Sequence, residues 1–262
     1  MLIAIEGPNG IGKSTLIKTI EKNYEFIAKN DNKINFFKYP NKDTLNGEFI
    51  YKMLFNSSID QTALATLFVN ERYAVRKHLE KVKYSADIGV IDRYSPSNIN
   101  SLLAKQIQLE SRGNEPLFTT ETWKTGYFMQ WFSQISEYLV NEVIKKLTEF
   151  ELLEQSLQIT QPHKYVLLVP KHEFNTYEAL YNRNFRDRNV DTHERFDQFV
   201  LSSMIYRECA KRKMFSNWSI IEINEHTRID DVFEQFYASF LSLRWIKNNP
   251  CAEIILCNAD QN

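Results

Sequence analysis

The sequence predicts an α/β domain in which one five-stranded parallel sheet carries helices on both faces. Three observations lead there. Short apolar runs recur along the chain, each ended by turn residues. Stretches with the apolar period of a helix separate them. A glycine-rich loop joins the first run to the first helical stretch. Strands alternating with long helical segments imply a parallel sheet, and such sheets bind ligands at the carboxyl ends of their strands.

The elements follow in chain order. Leu2-Ile3-Ala4-Ile5 is fully apolar, as a buried parallel strand is. Glu6-Gly7-Pro8-Asn9-Gly10-Ile11-Gly12-Lys13-Ser14-Thr15 then reads G-x-x-x-x-G-K-S, and Thr15 to Lys22 continues with helical spacing. Strand, glycine loop and helix is the setting a phosphate-binding loop requires. Glycines let backbone N–H groups turn inward around phosphate oxygens, and the helix N-terminus adds its positive dipole end. Lys13 is expected to reach the β- and γ-phosphates and Ser14 to ligate Mg²⁺. Of the seven glycines in the chain, three lie in this loop.

Ile34 to Tyr39 reads as a second strand, stopped by Pro40. Gln61 to Val82 is helical, with Leu64, Leu67, Phe68, Val75, Leu79 and Val82 recurring. Ile88-Gly89-Val90-Ile91 is a third strand and runs directly into Asp92-Arg93-Tyr94. Lys105 to Thr122 is polar, holds Gly113 and Pro116, and is expected to be a loop. Phe128, Trp131, Phe132, Ile135, Leu139, Val143, Leu147 and Phe150 then recur at helical spacing, which predicts a long helix with one face in the core or against another subunit. Tyr165 to Val169 and Ser219 to Ile223 are the fourth and fifth strands. The glycine loop, Lys38-Tyr39-Pro40 and Asp92-Arg93-Tyr94 all fall at strand ends, so one site is expected there.

Composition narrows the class. The chain has 262 residues, 43% apolar and 25% charged, with a net charge of -1. These values fit a single globular domain over 1–262 and give no overall pull toward nucleic acid or anionic membrane. Cys209, Cys251 and Cys257 lack C-x-x-C spacing, so neither a zinc site nor a disulfide framework is expected, and a reducing, cytoplasmic setting is. The apolar start has no basic leader and reads as a strand rather than a signal peptide. No apolar run approaches the ~20 residues of a membrane span.

Together these motifs resemble the thymidylate kinase family of P-loop nucleoside monophosphate kinases, from Leu2 to Leu103 and again from Tyr165 to Phe240. Besides the phosphate loop, Lys38-Tyr39-Pro40 is similar to a basic-aromatic-proline signature, and Phe68-x-x-x-Arg72 to a helix pair. Asp92-Arg93-Tyr94-Ser95-Pro96-Ser97 resembles a D-R-Y/H-x-x-S motif. Arg183-Asn184-Phe185-Arg186-Asp187-Arg188, with Asp191, Glu194, Phe196 and Tyr206, resembles a mobile lid over 182–195 and its helix.

The resemblance implies ATP-dependent phosphorylation of a deoxynucleoside monophosphate, dTMP first among them, with Mg²⁺ as cofactor. Gly7, Asn9, Gly10, Ile11, Gly12, Lys13, Ser14, Thr15 and Arg183 would bind ATP, while Ser14 and Asp92 would hold the metal. Asn9, Lys38, Phe68, Arg72, Arg93 and Ser97 would bind the acceptor: Phe68 stacking on the base, Arg72 contacting it, Lys38 and Arg93 on its phosphate. Lys13, Asp92, Arg93, Arg186 and Arg188 would be catalytic. The family also implies a homodimer contact. Four departures stand out. Gly10 takes a place where some members carry arginine, which leaves the transferring charge to the lid arginines. Asn9 replaces a carboxylate, Lys38 an arginine, and Ser101-Leu102 an aromatic-polar pair. The 105–161 connection is also extended by tens of residues. Two other readings share these motifs: a deoxynucleoside kinase, whose acceptor carries no phosphate, and a nucleotide-binding protein without catalysis.

Overall fold

The computed structural model describes residues 1–27, 33–54, 60–111, 116–123, 126–185 and 194–248. Five strands form one sheet: β1 (Leu2–Glu6), β2 (Ile34–Lys38), β3 (Ile88–Asp92), β4 (Lys164–Pro170) and β5 (Asn217–Ile223). Their order is β2-β3-β1-β4-β5, and all pairings are parallel. Every residue of β1 and β3 is buried, as is all of β4 after Lys164. Covered on both faces, these strands read as continuous apolar runs. The edge strands β2 and β5 are partly open.

The helices form two layers. One pairs α1 (Lys13–Lys22) with α10 (Ile229–Asn248). The other joins α4 (Gln61–Tyr84), α5 (Ile99–Glu110), α7 (Gly126–Ser156) and α9 (Phe196–Lys211), with α3 (Leu45–Leu54) against α4 and α8 (Phe174–Phe185) against α9. Two one-turn helices, α2 (Tyr24–Ile27) and α6 (Thr120–Trp123), and a 3-10 turn at Ser95–Asn98 complete the described elements. One continuous cluster of buried apolar side chains joins the sheet to both layers.

The expected loop from Lys105 to Thr122 needs correction. Helix α5 runs on to Glu110, so the first six of those residues are helical. Ala104 and Ile107 continue the buried stripe of Ile99 and Leu103, while Lys105, Gln106, Gln108 and Glu110 are sound helix formers facing outward. Polarity alone masked a surface helix. Thr120 to Thr122 are also helical, within α6. The predicted long helix is present: α7 buries Leu139, Val143, Ile144, Leu147 and Phe150 and packs on α5 and α9. The side chains of Phe128, Trp131 and Phe132 lie outside the described residues.

Asp60 starts α4. Its Oδ1 accepts from the backbone N–H groups of Thr62 at 2.9 Å and Ala63 at 3.0 Å, and its Oδ2 meets Lys105 Nζ of α5 at 2.7 Å. The cap satisfies two amides that the helix leaves open. Asp60→Ala should cost about 1 kcal/mol through the lost cap. That corresponds to a fall of about 2–4 °C in Tm for a domain of this size, read by thermal melting.

Candidate active site

The carboxyl ends of β1, β2 and β3 meet at one cavity of about 510 Å³. The glycine loop follows β1 there. Gly7, Gly10 and Gly12 have φ of 140°, 78° and 109°, values that L side chains rarely adopt. Space imposes the same choice at two of them. A Cβ on Gly7 would lie 2.1 Å from the Leu168 carbonyl oxygen, and one on Gly10 would lie 2.5 Å from the Phe185 ring. Phe185, the last residue of α8, is buried and packs on Tyr181 and Phe199. The ring therefore occupies the space where a side chain at position 10 would project.

Lys13 opens α1 and is only 5% exposed. Its Nζ donates to the carbonyls of Gly7 at 2.8 Å and Pro8 at 2.7 Å, so the ammonium is wrapped by its own loop. Burial, then the positive charge of Arg93, lowers its pKa well below that of an ordinary lysine; Asp92 and Glu6 pull the other way. Ser14 and Thr15 follow on the same rim, with Asn9, Gly10 and Gly12.

Asp92 closes β3 and is 8% exposed. Lys38 closes β2 in register with it, and Lys38 Nζ stands 3.5 Å from Asp92 Oδ2. The next residue, Arg93, has φ 67°. A non-glycine residue there costs of order 1–3 kcal/mol and persists only where its surroundings hold it. Here the Arg93 N–H donates to Ile5 O at 3.2 Å, and its Nη2 donates to Asn9 Oδ1 at 2.5 Å. Its Nη1 is buried with no hydrogen-bond partner among the described residues. A guanidinium nitrogen taken from water without an acceptor is costly; an anion in the cavity would satisfy it.

Beneath these groups lies Glu6, which the motif left as a mere flank of the loop. It is fully buried. Oε1 accepts from the Tyr94 N–H at 2.5 Å, and Oε2 accepts from Ser97 Oγ at 2.8 Å and Tyr206 OH at 3.1 Å. Burial raises its pKa, while Arg93, the Tyr94 N–H and the Ser97 hydroxyl oppose the rise. An isolated carboxylate ending an otherwise apolar strand was the available signal.

Phe68 and Arg72 of α4 line the far part of the cavity with Tyr39, Tyr94, Asn100 and Ser101. Arg72 is 1% exposed. Its Nε and Nη2 both donate to Glu154 Oε1, at 2.9 Å and 2.5 Å, and its guanidinium carbon sits 5.7 Å from the Tyr94 ring centroid. Glu154 comes from α7 and nothing in the sequence singled it out.

Of the other expected positions, Ile11 is a core residue at 1% exposure, so only its backbone remains for a ligand. Gly7 lies behind the rim, and Arg183 is an exposed residue of α8 outside the cavity lining. Asn184 does line the cavity. Arg186 and Arg188, with most of the expected lid, lie outside the described residues.

For the metal, among the described residues no group of three or more His, Cys, Asp or Glu could hold an ion. Ser14 and Asp92 nevertheless both line the cavity. One hydroxyl and one carboxylate fit an Mg²⁺ that arrives on nucleotide phosphates, which is how this ion usually binds, rather than a cage built by the protein.

Two outcomes follow from this geometry. Because an anion favours charged Lys13, ATP binding should take up protons and weaken as pH rises through the range where Lys13 titrates. Titration calorimetry in buffers of different ionisation enthalpy measures this, and an unchanged proton count contradicts it. Gly10→Ala places a side chain at φ 78° against the Phe185 ring. The left-handed conformation alone costs about 1–2 kcal/mol, so Tm should fall by about 2–8 °C in a thermal melt.

Comparison with known proteins sets the chain beside thymidylate kinases. A family model described as thymidylate kinase matches residues 5–110. Thymidylate kinase of African swine fever virus is 32% identical over 192 residues, covering 70% of this chain and 72% of that protein. Thymidylate kinase of Dictyostelium discoideum is 28% identical over 111 residues, covering 42% of this chain and 49% of that one. In fold, the solved thymidylate kinase of Candida albicans superposes with a TM-score of 0.62 at 18% identity, over 93% of this chain and 92% of that one. With the glycine loop, the strand-end Asp92-Arg93 pair and a relative matched over most of both chains, the resemblance seen in the sequence holds: the chain belongs to the thymidylate kinase family.

Proposed function

We propose that this protein transfers the γ-phosphoryl group of ATP to a deoxynucleoside monophosphate, with dTMP as the preferred acceptor. The observation that carries this reading is Arg93 Nη1, a buried cationic donor without a partner among the described residues, in the cavity that Lys13 and Phe68 also line. An acceptor phosphate would complete it. A nucleoside acceptor has no group of that charge, which sets this reading apart from a deoxynucleoside kinase.

The remaining residues take roles that follow from their chemistry. The loop N–H groups and Lys13 hold the donor phosphates, Lys13 exchanging its two carbonyl partners for phosphate oxygens. Ser14 and Asp92 would hold Mg²⁺, which would neutralise charge on the donor phosphates. Lys38, held near Asp92, adds a point charge beside the acceptor phosphate, where the planar Arg93 makes paired bonds. Phe68 offers its face to the base and Arg72 a hydrogen bond. The chain's part is mostly positioning and charge neutralisation, since phosphoryl transfer needs little covalent help. A cytoplasmic setting belongs to the same reading, and Cys209 is a buried free thiol.

The test is ATP with each deoxynucleoside monophosphate and each deoxynucleoside as acceptor. Turnover is expected with monophosphates and highest with dTMP; turnover confined to nucleosides would overturn the proposal, as would tight binding without turnover. Lys13→Ala should abolish transfer while leaving the fold intact. Arg93→Ala should raise the acceptor KM and lower kcat, with ATP affinity little changed. A charge-assisted bond is worth about 1.5–3 kcal/mol, or roughly 10- to 150-fold in kcat/KM.

A further inference from the structure

The two arginines of the cavity differ in one respect. Arg93 is held by an uncharged amide, Asn9. Arg72 is held by a carboxylate, Glu154, which is 0% exposed. Glu154 Oε1 takes both Nε and Nη2 of Arg72. Its Oε2 accepts from Ser95 Oγ, in a short bond, and from Gln161 Nε2 at 2.7 Å. Gln161 in turn accepts from Tyr165 OH at 2.8 Å. The carboxylate is thus fixed from both sides, and it fixes Arg72. Arg72 itself lines the cavity.

We propose that Glu154 is a positioning and charge-compensating residue that makes Arg72 read the uncharged base of the acceptor and keeps phosphate away from that end of the cavity. An arginine bound to a buried carboxylate still offers a directed N–H, yet little net charge. Such a donor suits a base carbonyl; an anion gains far more from a cation whose charge is uncompensated. Without Glu154 the cavity would carry two anion sites, one at each end, and a monophosphate could enter in either direction. Glu154 lies on α7, in the extended connection between β3 and β4, so that segment contributes directly to acceptor orientation.

This role rests on the function proposed above. Its test is the Glu154→Gln variant, which keeps an oxygen for Arg72 and removes the charge. The KM for dTMP should rise about tenfold, as expected for losing charge assistance in the contact that holds Arg72, with the KM for ATP unchanged. Inhibition by inorganic phosphate and pyrophosphate, competitive with dTMP, should strengthen. The preference for dTMP over dCMP should shrink. Glu154→Asp, which keeps the charge, should leave phosphate inhibition at the wild-type level. Should Glu154→Gln fail to fold, Gln161→Leu loosens Glu154 without touching the cavity lining and should show the same pattern more weakly. A variant with a lowered Tm but wild-type dTMP KM, phosphate inhibition and base preference would reduce Glu154 to a structural brace and overturn its proposed role alone. Wild-type protein without turnover on any monophosphate would instead remove the function reading and this role together.

Discussion

The site depends on one buried carboxylate. Glu6 ends the central strand with no exposure to water, and its two oxygens are taken by the Tyr94 N–H, the Ser97 hydroxyl and the Tyr206 hydroxyl. Those partners come from the turn after β3 and from α9, so a single side chain ties the glycine loop, that turn and the far helix together. Its field also acts on Lys13 and Arg93. Two cations gathered in a dry crevice repel each other and lose hydration. A carboxylate below them offsets part of that cost without occupying the cavity, which is left for anionic ligands.

The same economy of charge divides the cavity. Near β1 and β3, Lys13 is held by backbone carbonyls and Arg93 by the Asn9 amide, and Arg93 keeps an open donor. Near α4, Arg72 is matched by Glu154 at contact distance. Identical side chains therefore meet ligands with different effective charge. A deoxynucleoside monophosphate has the complementary asymmetry, anionic at one end and uncharged at the other.

Helix α7 links this division to the fold. Its buried stripe packs on α5 and α9, and Glu154 lies near its C-terminal end. From there the chain passes through Thr160, which accepts from Tyr94 OH at 2.8 Å, and Gln161 before entering β4. The long connection between β3 and β4 thus braces the turn that carries Arg93 as well as the Arg72 end of the cavity.

What the sequence determined by itself was local. Apolar runs in a helical background specified a parallel sheet, most plainly in β1, β3 and β4, because burial on both faces leaves no room for alternation. The glycine loop specified a phosphate cradle because backbone freedom and the Lys13-Ser14 pair are short-range properties. Convergence of Lys38, Asp92 and Arg93 was legible because strand ends of a parallel sheet share one edge. The polar surface of α5 hid its last turns, since polarity does not separate a loop from an exposed helix. Tertiary structure alone decided the partners: which carboxylate lies under Lys13, which one meets Arg72 from 82 residues away, that Arg93 is held at φ 67°, and that Phe185 fills the space beside Gly10. The Arg72–Glu154 pair and the Phe185 ring beside Gly10 join segments far apart in the chain, and no spacing along one strand or one helix encodes them.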